Sequence, residues 1–83
     1  MKVGDAVWCN DKASIFHGYG GFVENRVEKH DVFKEEGVMV NFPFEGAAWL
    51  RASALRPATP SESSELAKLR EAMAVQARQR GRF

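Results

Sequence analysis

The residues that could carry covalent or metal chemistry are one cysteine, Cys9, and two histidines, His17 and His30. A thiol beside an imidazole can act as nucleophile and base, and the same side chains bind zinc when four ligands converge. The spacing of these three residues matches neither a zinc signature nor a cysteine-hydrolase pattern. We therefore predict that the protein is not an enzyme and has no catalytic residues, no metal site and no cofactor.

The elements that must position any site have to fit within one small domain, because the chain has only 83 residues. Cys9 has no second cysteine with which to form an intramolecular disulfide. The N-terminal sequence contains no apolar stretch of signal-peptide length, and no later stretch is long enough to span a bilayer. These features predict a cytoplasmic protein that does not contact a membrane.

The charges are unevenly distributed along the chain. Residues 1–60 carry seven Lys and Arg against eight Asp and Glu, whereas residues 61–83 carry five against three. A surface that follows nucleic-acid phosphates is normally basic, and the N-terminal part is not. The charge balance therefore favours a protein partner over a nucleic acid.

Period-two alternation predicts strands in the first two-thirds of the chain. Val7 and Cys9 share one side of the first strand, and Trp8 lies on the other. The glycines of residues 17–21 indicate a turn. Further strands are predicted at residues 22–28, 37–42 and 47–51, joined by a hairpin-like connection at 43–46, before a helical turn at 52–55 and a short strand ending at Pro57.

One helix is predicted at the C-terminal end. Thr59, Pro60 and Glu62 provide a capping hydroxyl, a proline at the first helical position and a carboxylate three residues after the cap, which form a capping box. The helix then continues to Gly81. Its apolar residues recur at steps of three and four and form one narrow stripe, namely Leu66, Leu69, Met73 and Ala77.

Five motifs follow one another in the first two-thirds of the chain, namely Gly4-Asp5-Ala6-Val7, Gly18-Tyr19-Gly20-Gly21-Phe22-Val23, Val38-Met39-Val40-Asn41-Phe42, Trp49 and Ala54-Leu55-Arg56-Pro57. Their order resembles small SH3-like barrels, including KOW and Tudor-like modules, the photosystem I accessory-subunit family and the type II dihydrofolate reductases. The resemblance covers about residues 3–57 and implies a mainly β fold, an SH3-like five-stranded small barrel followed by one amphipathic α-helix. The expected division is a barrel at 1–57, a linker with the helix cap at 58–60, and a helix with a basic tail at 61–83.

The family activities do not transfer with the fold. KOW modules present a basic edge beside the glycine turn, where this chain has Asp11, Glu24 and Glu28. The reductases carry Val-Gln-Ile-Tyr in the strand that lines their pore, where this chain has Val38-Met39-Val40-Asn41. An oligomeric barrel enzyme with a site at a symmetry axis is therefore only a distant alternative.

Aromatic residues outside the expected core predict a binding surface. Such residues supply large contact areas at little entropic cost, and protein interfaces are enriched in them. We predict a non-catalytic interaction module that binds or inhibits a protein partner of unknown identity. An alternative is that one tryptophan, Trp49 in particular, packs beneath the helix. The predicted partner-binding residues are Trp8, Phe16, Tyr19, Phe44 and Trp49.

A nucleic-acid-binding module is the principal alternative function. The aromatic residues would stack on bases and the arginines would contact phosphates. For the last three arginines, a solvated helix end that offsets the helix dipole is favoured over phosphate binding. The candidate contacts are Arg26, Arg51, Arg56, Arg78, Arg80 and Arg82.

The stripe formed by Leu66, Leu69 and Met73 has three alternative uses. It could dock on its own barrel, pair with a second copy of the chain, or enter a groove on a partner. Docking within the chain is favoured because an isolated helix of this length is only marginally stable in water. The protein is therefore expected to be a monomer or a homodimer.

Overall fold

Alternating apolar side chains form five antiparallel strands, and a capped helix follows them. The computed structural model describes residues 1–80. The predicted mainly β fold with one C-terminal helix is confirmed, including the helical turn ahead of the last strand. In chain order the elements are β1 (Ala6–Cys9), β2 (Gly20–Val27), β3 (Gly37–Phe42), β4 (Gly46–Arg51), a 3-10 turn (Ala52–Ala54), β5 (Leu55–Pro57) and α1 (Pro60–Arg80).

The strands form one sheet in the order β4-β3-β2-β1-β5, so β4 and β5 are its two edges. All five strands contribute to one core on the same face of the sheet, while α1 packs on the other face. The sheet therefore curls around its own core. Each fully buried aliphatic or aromatic side chain in this core contributes about 1.5–3 kcal/mol to the free energy of folding. The core consists of Val7, Cys9, Val23, Val38, Val40, Phe42, Leu50 and Leu55.

β2 and β3 approach each other so closely that position 21 must be glycine. A Cβ on Gly21 would collide with the carbonyl oxygen of Asn41 and lie 2.7 Å from Cγ1 of Val40. Two residues further on, the β2–β3 register shifts between Val23 and Asn25. Such a bulge bends a strand and increases its twist, which helps the sheet to curl.

The turn between β3 and β4 holds Phe44 in a strained conformation. The amide of Glu45 donates to the carbonyl oxygen of Phe42 at 2.9 Å and closes a four-residue turn. Phe44 follows Pro43 in this turn with φ of 68°. The third position of a type II turn favours glycine, and a bulky residue with positive φ costs about 1–3 kcal/mol. The connection predicted at 43–46 is confirmed, with Phe44 as its strained and exposed residue.

The predicted capping box is present at the start of α1. The amide of Glu62 donates to Oγ1 of Thr59 at 3.2 Å, and the amide of Thr59 donates to Oε1 of Glu62 at 2.9 Å. Nη1 and Nη2 of Arg56, on β5, donate hydrogen bonds to the two carboxylate oxygens of Glu62 at 2.7 and 2.8 Å. The Arg56 bonds, together with the Thr59 amide, lower the pKa of Glu62 from 4.5 to about 2. The helix start is thereby tied to an edge strand of the sheet.

Leu66 anchors α1 on the outer face of β1 and β2. Its side chain is only 2% exposed. A Cβ on Gly20 would lie 3.0 Å from Cδ1 of Leu66 and would collide with the ring of Trp8, so the glycine leaves room for both side chains. Trp8, not Trp49, is therefore the tryptophan beneath the helix. The reason is the topology: α1 follows β5, β5 pairs with β1, and Trp49 lies on β4 at the opposite edge.

Only part of the predicted apolar stripe contacts the sheet. Cζ of Arg70 lies 4.9 Å from the centre of the Phe22 ring, one turn beyond Leu66. Met73 lines the same side of the helix as Arg70. Leu69 lies outside this contact and is 44% exposed. The helix therefore docks on the sheet of its own chain through Leu66, Arg70 and Met73.

A groove of about 450 Å³ lies between the sheet and the middle of α1, beside the contact of Arg70 with Phe22. It is lined by Val3, Gly4, Phe22, Val23, Glu24, Asn41, Pro43, Arg70 and Met73. Gly81, where the helix is predicted to end, lies outside the described residues. Within residues 1–80, no helix combines the length and the apolar character needed to cross a bilayer.

Candidate functional site

An open cleft of about 290 Å³ lies at the β4 edge of the sheet. We call it the aromatic cleft. Its walls come from the β1–β2 loop, the β2–β3 loop, β4 and the 3-10 turn. The residues that line it are Asp11, Ser14, Phe33, Trp49, Leu50, Arg51 and Ala54.

Backbone hydrogen bonds close the β2–β3 loop around His30. The amide of His30 donates to the carbonyl oxygen of Glu35 at 2.7 Å, and the amide of Lys34 donates to the carbonyl oxygen of His30 at 2.8 Å. Lys34 takes a φ of 62° within this loop. Nδ1 of His30 accepts hydrogen bonds from the amides of Val32 at 3.1 Å and Phe33 at 3.4 Å. One imidazole therefore organises both the turn and the residue that enters the cleft.

The His30 ring also fixes the aromatic wall. It stacks on Phe33 with 4.2 Å between ring centres and meets Trp49 at 5.3 Å in a tilted arrangement. Gly37 leaves room for it, because a Cβ there would lie 2.8 Å from Cβ of His30. Phe33 and Trp49 are thus linked through His30, one from a loop and one from a strand.

Arg51 adds a cation to this aromatic wall. Its Cζ lies 5.4 Å from the centre of the Phe33 ring, within the range of a cation–π contact. Beside it, Oγ of Ser53 donates to Oε1 of Glu35 at 2.7 Å and ties the 3-10 turn to the β2–β3 loop. The cleft therefore combines two aromatic rings with a guanidinium group.

The opposite wall of the cleft is a loop that bonds to itself. Oδ1 of Asp11 accepts from the amide of Ala13 at 2.9 Å, and Oγ of Ser14 accepts from the amide of Phe16 at 3.1 Å. Phe16 stacks on Phe42 with 4.4 Å between ring centres and 5° between planes. Phe16 therefore packs against the core and holds this loop in place.

The cleft follows the free edge of β4, the side of the strand that does not pair with β3. The amide of Ala52 donates to the carbonyl oxygen of Glu36 and continues the β3–β4 register. Hydrogen-bonded and non-hydrogen-bonded pairs alternate in an antiparallel ladder, so every second residue counted back from Ala52 bonds to β3. The backbone groups of Ala47 and Trp49, which lie between them, point to the free edge, as does the amide of Arg51. The carbonyl oxygen of Arg51 instead begins the 3-10 turn. Within residues 1–80, no backbone hydrogen bond outside the strand ladders reaches Ala47 or Trp49.

The five predicted partner-binding aromatics do not form one surface. Trp8 and Trp49 both lie opposite the core, as the alternation predicts, and both are half-buried, Trp8 beside Leu66 of α1 and Trp49 beside His30. Phe16 is used by the core. Tyr19 and Phe44 are about half exposed, at 49% and 50%. Of the predicted set, Trp49 alone lines the aromatic cleft.

Phe33 is the functional candidate that the aromatic pattern did not single out. It lies in a charged loop without periodicity, where the sequence indicates only that the side chain could turn back toward the sheet. Its position depends on His30, three residues earlier, and on Arg51 from a distant strand. The local signal that could have identified it is the histidine itself, a residue able to accept hydrogen bonds from the amides that follow it.

The predicted phosphate contacts are dispersed and partly used within the fold. Arg26 donates to the carbonyl oxygen of Met1 at 3.3 Å, and Arg56 pairs with Glu62. Arg51 lies in the cleft. Arg78 donates Nε to a carbonyl oxygen of its own helix, that of Ala74, at 3.4 Å. The side chain of Arg80 and the whole of Arg82 lie outside the described part of the chain.

The residues first considered for chemistry have structural roles or lie apart. Cys9 is a free thiol that is buried in the core. His17 is exposed in the β1–β2 loop, and Nδ1 of His30 already accepts loop amides. Among the described residues, no three His, Cys, Asp or Glu side chains are placed to hold a metal ion. The absence of enzymatic activity remains a prediction.

Comparison with known proteins gives no relative from which a function could be inferred. No protein-family model, no curated protein and no solved structure matches this chain significantly. The resemblance to SH3-like barrels therefore stays a prediction from the sequence motifs, and functional inference rests on the geometry of the aromatic cleft.

Proposed function

We propose that this protein is a non-catalytic interaction module that binds an extended segment of a partner protein in the aromatic cleft. The observation that carries the proposal is the position of Phe33, Trp49 and Arg51 beside the free edge of β4. An added strand gains main-chain hydrogen bonds from such an edge, and its alternate side chains meet the wall of the cleft. Tryptophan and arginine are also the residue types most enriched among binding hot spots.

The cleft is organised before any partner arrives, which supports the proposal. The His30 bonds to the loop amides hold Phe33 against the imidazole, and Trp49 lies on a strand. Ordering a loop or a long side chain during binding costs free energy, and that cost is small where the contacts already exist. The aromatic cleft therefore suits a partner segment that is disordered before it binds.

The local charges favour a protein segment over nucleic acid. Arg51 shares the cleft with Asp11, and Glu35 lies beside it in its bond to Ser53. Arg56, another predicted phosphate contact, is already paired with Glu62. Phosphate recognition needs an excess of unpaired cations along a track, and its strength falls steeply with salt.

We further propose that the module meets its partner in the cytoplasm and regulates or inhibits it. Cys9 is a buried free thiol, and no disulfide supports the fold in the described residues. Such a fold suits a reducing compartment.

The proposal is tested by selecting ligands for the full chain from a display library of random segments of about ten residues. We expect enriched segments that bind the wild type, and whose affinity falls about tenfold or more in Trp49→Ala and in Phe33→Ala. Val32→Ala is the matched control, because Val32 lies in the same loop and is 75% exposed. Tyr19→Ala controls for loss of an exposed aromatic ring elsewhere. Both controls should retain wild-type affinity.

Two results would contradict the proposal. One is the absence of any enriched segment, and the other is full affinity in Trp49→Ala and Phe33→Ala. Retention on heparin or single-stranded DNA that weakens steeply with salt would favour the nucleic-acid alternative, provided that Arg51→Gln reduces it.

A further inference from the structure

The sequence of β4, taken with Glu45 in the turn directly before it, is complementary to itself when read in the opposite direction. With Ala48 as the centre, Glu45 lies opposite Arg51, Gly46 opposite Leu50, and Ala47 opposite Trp49. Each large side chain thus meets a small one, and each charge meets the opposite charge. Directly opposed residues are the pairs that stabilise or destabilise neighbouring antiparallel strands.

The same register satisfies the backbone. Ala47, Trp49 and Arg51 share one face of β4, so the two Ala47–Trp49 pairs across a two-fold axis would lie on the outer face of the sheet. Glu45 lies in the turn directly before β4, at the end of the strand that meets Arg51 of the other copy. The backbone groups of Ala47 and Trp49 point to the free edge of β4, as the hydrogen-bond alternation requires. Ala47 of one copy and Trp49 of the other would therefore form a hydrogen-bonded pair.

β4 itself contains no proline, no inward charge and no bulge, three of the usual protections against such pairing. Natural edge strands are commonly shielded by proline, by inward charges, by bulges or by a covering element. β4 is six residues long and pairs regularly with β3 over its whole length, with no bulge and no proline. α1 covers the other end of the sheet, where Leu66 packs on β1 and β2.

From these observations we infer that β4 pairs with β4 of a second copy of this chain, antiparallel and centred on Ala48, to form a ten-stranded sheet. The inference rests on the proposed function for an accessible β4 edge, and it names a second copy as one occupant of that edge. Dimerisation and the binding of a foreign segment then compete for the same backbone groups. In the dimer each copy covers the β4 edge of the other, so a foreign segment can bind there only when the two copies separate.

The test is a pair of charge reversals measured by sedimentation equilibrium of the full chain. Glu45→Arg places two arginines opposite each other at both ends of the paired strands, and Arg51→Glu does the same with two glutamates. Each variant alone should dimerise about tenfold more weakly than the wild type. Mixing the two restores both opposite-charge pairs and should restore dimerisation. Both residues are exposed, and circular dichroism checks that each variant folds.

The rescue is specific to this register. A shift of the centre to Trp49 would place Glu45 opposite Ser53 and Arg51 opposite Ala47, and mixing would then restore nothing. Leu69→Lys serves as a control for dimerisation through the helix, because Leu69 is exposed on α1. Leu69→Lys should dimerise like the wild type.

A chain that stays monomeric at high concentration would overturn the inference. So would a dimer that is indifferent to both charge reversals, or one that Leu69→Lys abolishes. The measurement contains no foreign segment, so a monomer leaves the proposed binding function standing. Conversely, failure of the display selection with a charge-sensitive dimer would remove the foreign partner and keep the self-pairing.

Discussion

Arg56 and Glu62 form a two-pronged ion pair, with 2.7 and 2.8 Å between the guanidinium nitrogens and the carboxylate oxygens. Glu62 also accepts from the amide of Thr59, so one carboxylate caps the helix and joins it to β5. The pair thereby ties the first turn of α1 to β5. Because β5 pairs with β1, the helix lies over β1 and β2 and leaves the β4 edge uncovered.

Glu62 should make the stability of the fold depend on pH. Its pKa in the folded protein is about 2, against an ordinary value of 4.5. A lowered folded pKa stabilises the protein above about pH 4.5, and the contribution is lost as the pH falls toward about 2. Thermal unfolding between pH 6 and pH 2 should therefore show a smaller loss of stability in Glu62→Gln than in the wild type. Glu65→Gln, an exposed change on the same helix, should follow the wild type, and parallel curves for all three proteins would refute this role for Glu62.

Leu66 and Leu69 should differ sharply in their contributions to stability. Leu66 is buried against Trp8 and the Gly20 backbone, whereas Leu69 is 44% exposed. Leu66→Ala should lower the free energy of unfolding by about 2 kcal/mol or more, because it leaves a cavity under the helix. Leu69→Ala should change it by less than about 0.5 kcal/mol. Urea denaturation measures both, and equal losses would mean that α1 does not dock on the sheet as described.

At position 44, glycine should give a more stable protein than alanine, the reverse of the usual order. The φ of 68° at Phe44 is costly for any residue with a Cβ, and both substitutions remove the same aromatic ring. Phe44→Gly should therefore be more stable than Phe44→Ala by about 1 kcal/mol. Ala47→Gly, on the neighbouring strand, should show the ordinary loss for glycine. If Phe44→Ala proves the more stable variant, the turn does not hold a positive φ.

His30 should control the order of the loop that carries Phe33. Its Nδ1 accepts from the amides of Val32 and Phe33, and asparagine can accept from the same amides through Oδ1. His30→Ala should speed hydrogen exchange at these two amides, while His30→Asn should preserve most of their protection. Val32→Ala provides a control within the loop. Equal exchange in the alanine and asparagine variants would show that the Nδ1 acceptor is not what holds the loop.

The elements governed by local patterns were predictable from the sequence. Val38, Val40 and Phe42 alternate with outward residues because one face of β3 meets the core, and period two reports this directly. Thr59 and Glu62 form a capping box, which depends only on residue types three positions apart. These features could be predicted because their physical causes act between residues that are close in the sequence, and the structure confirms them.

The features that the sequence did not predict depend on distant contacts. Alternation places Trp8 and Trp49 opposite the core, but it does not show over which strand the helix returns. The strand order decides that, because α1 follows β5 and β5 pairs with β1, and no periodicity indicates it. Phe33 belongs to the cleft only because His30 and Arg51 meet it there. The sequence therefore predicted that Trp49 belongs to a binding site, but it did not predict that Phe33 lines the same cleft.

The most direct test of the aromatic cleft is a titration of the ¹⁵N-labelled full chain with a segment selected on it, followed by nuclear magnetic resonance. Binding at the cleft should shift the amide signals of β4 and of the β2–β3 loop, with the largest changes at Trp49, Phe33 and the outward amides of Ala47 and Arg51. The signals of α1 around Leu66 should stay in place. Shifts confined to α1 and the groove beneath it, with β4 unchanged, would contradict binding at the aromatic cleft.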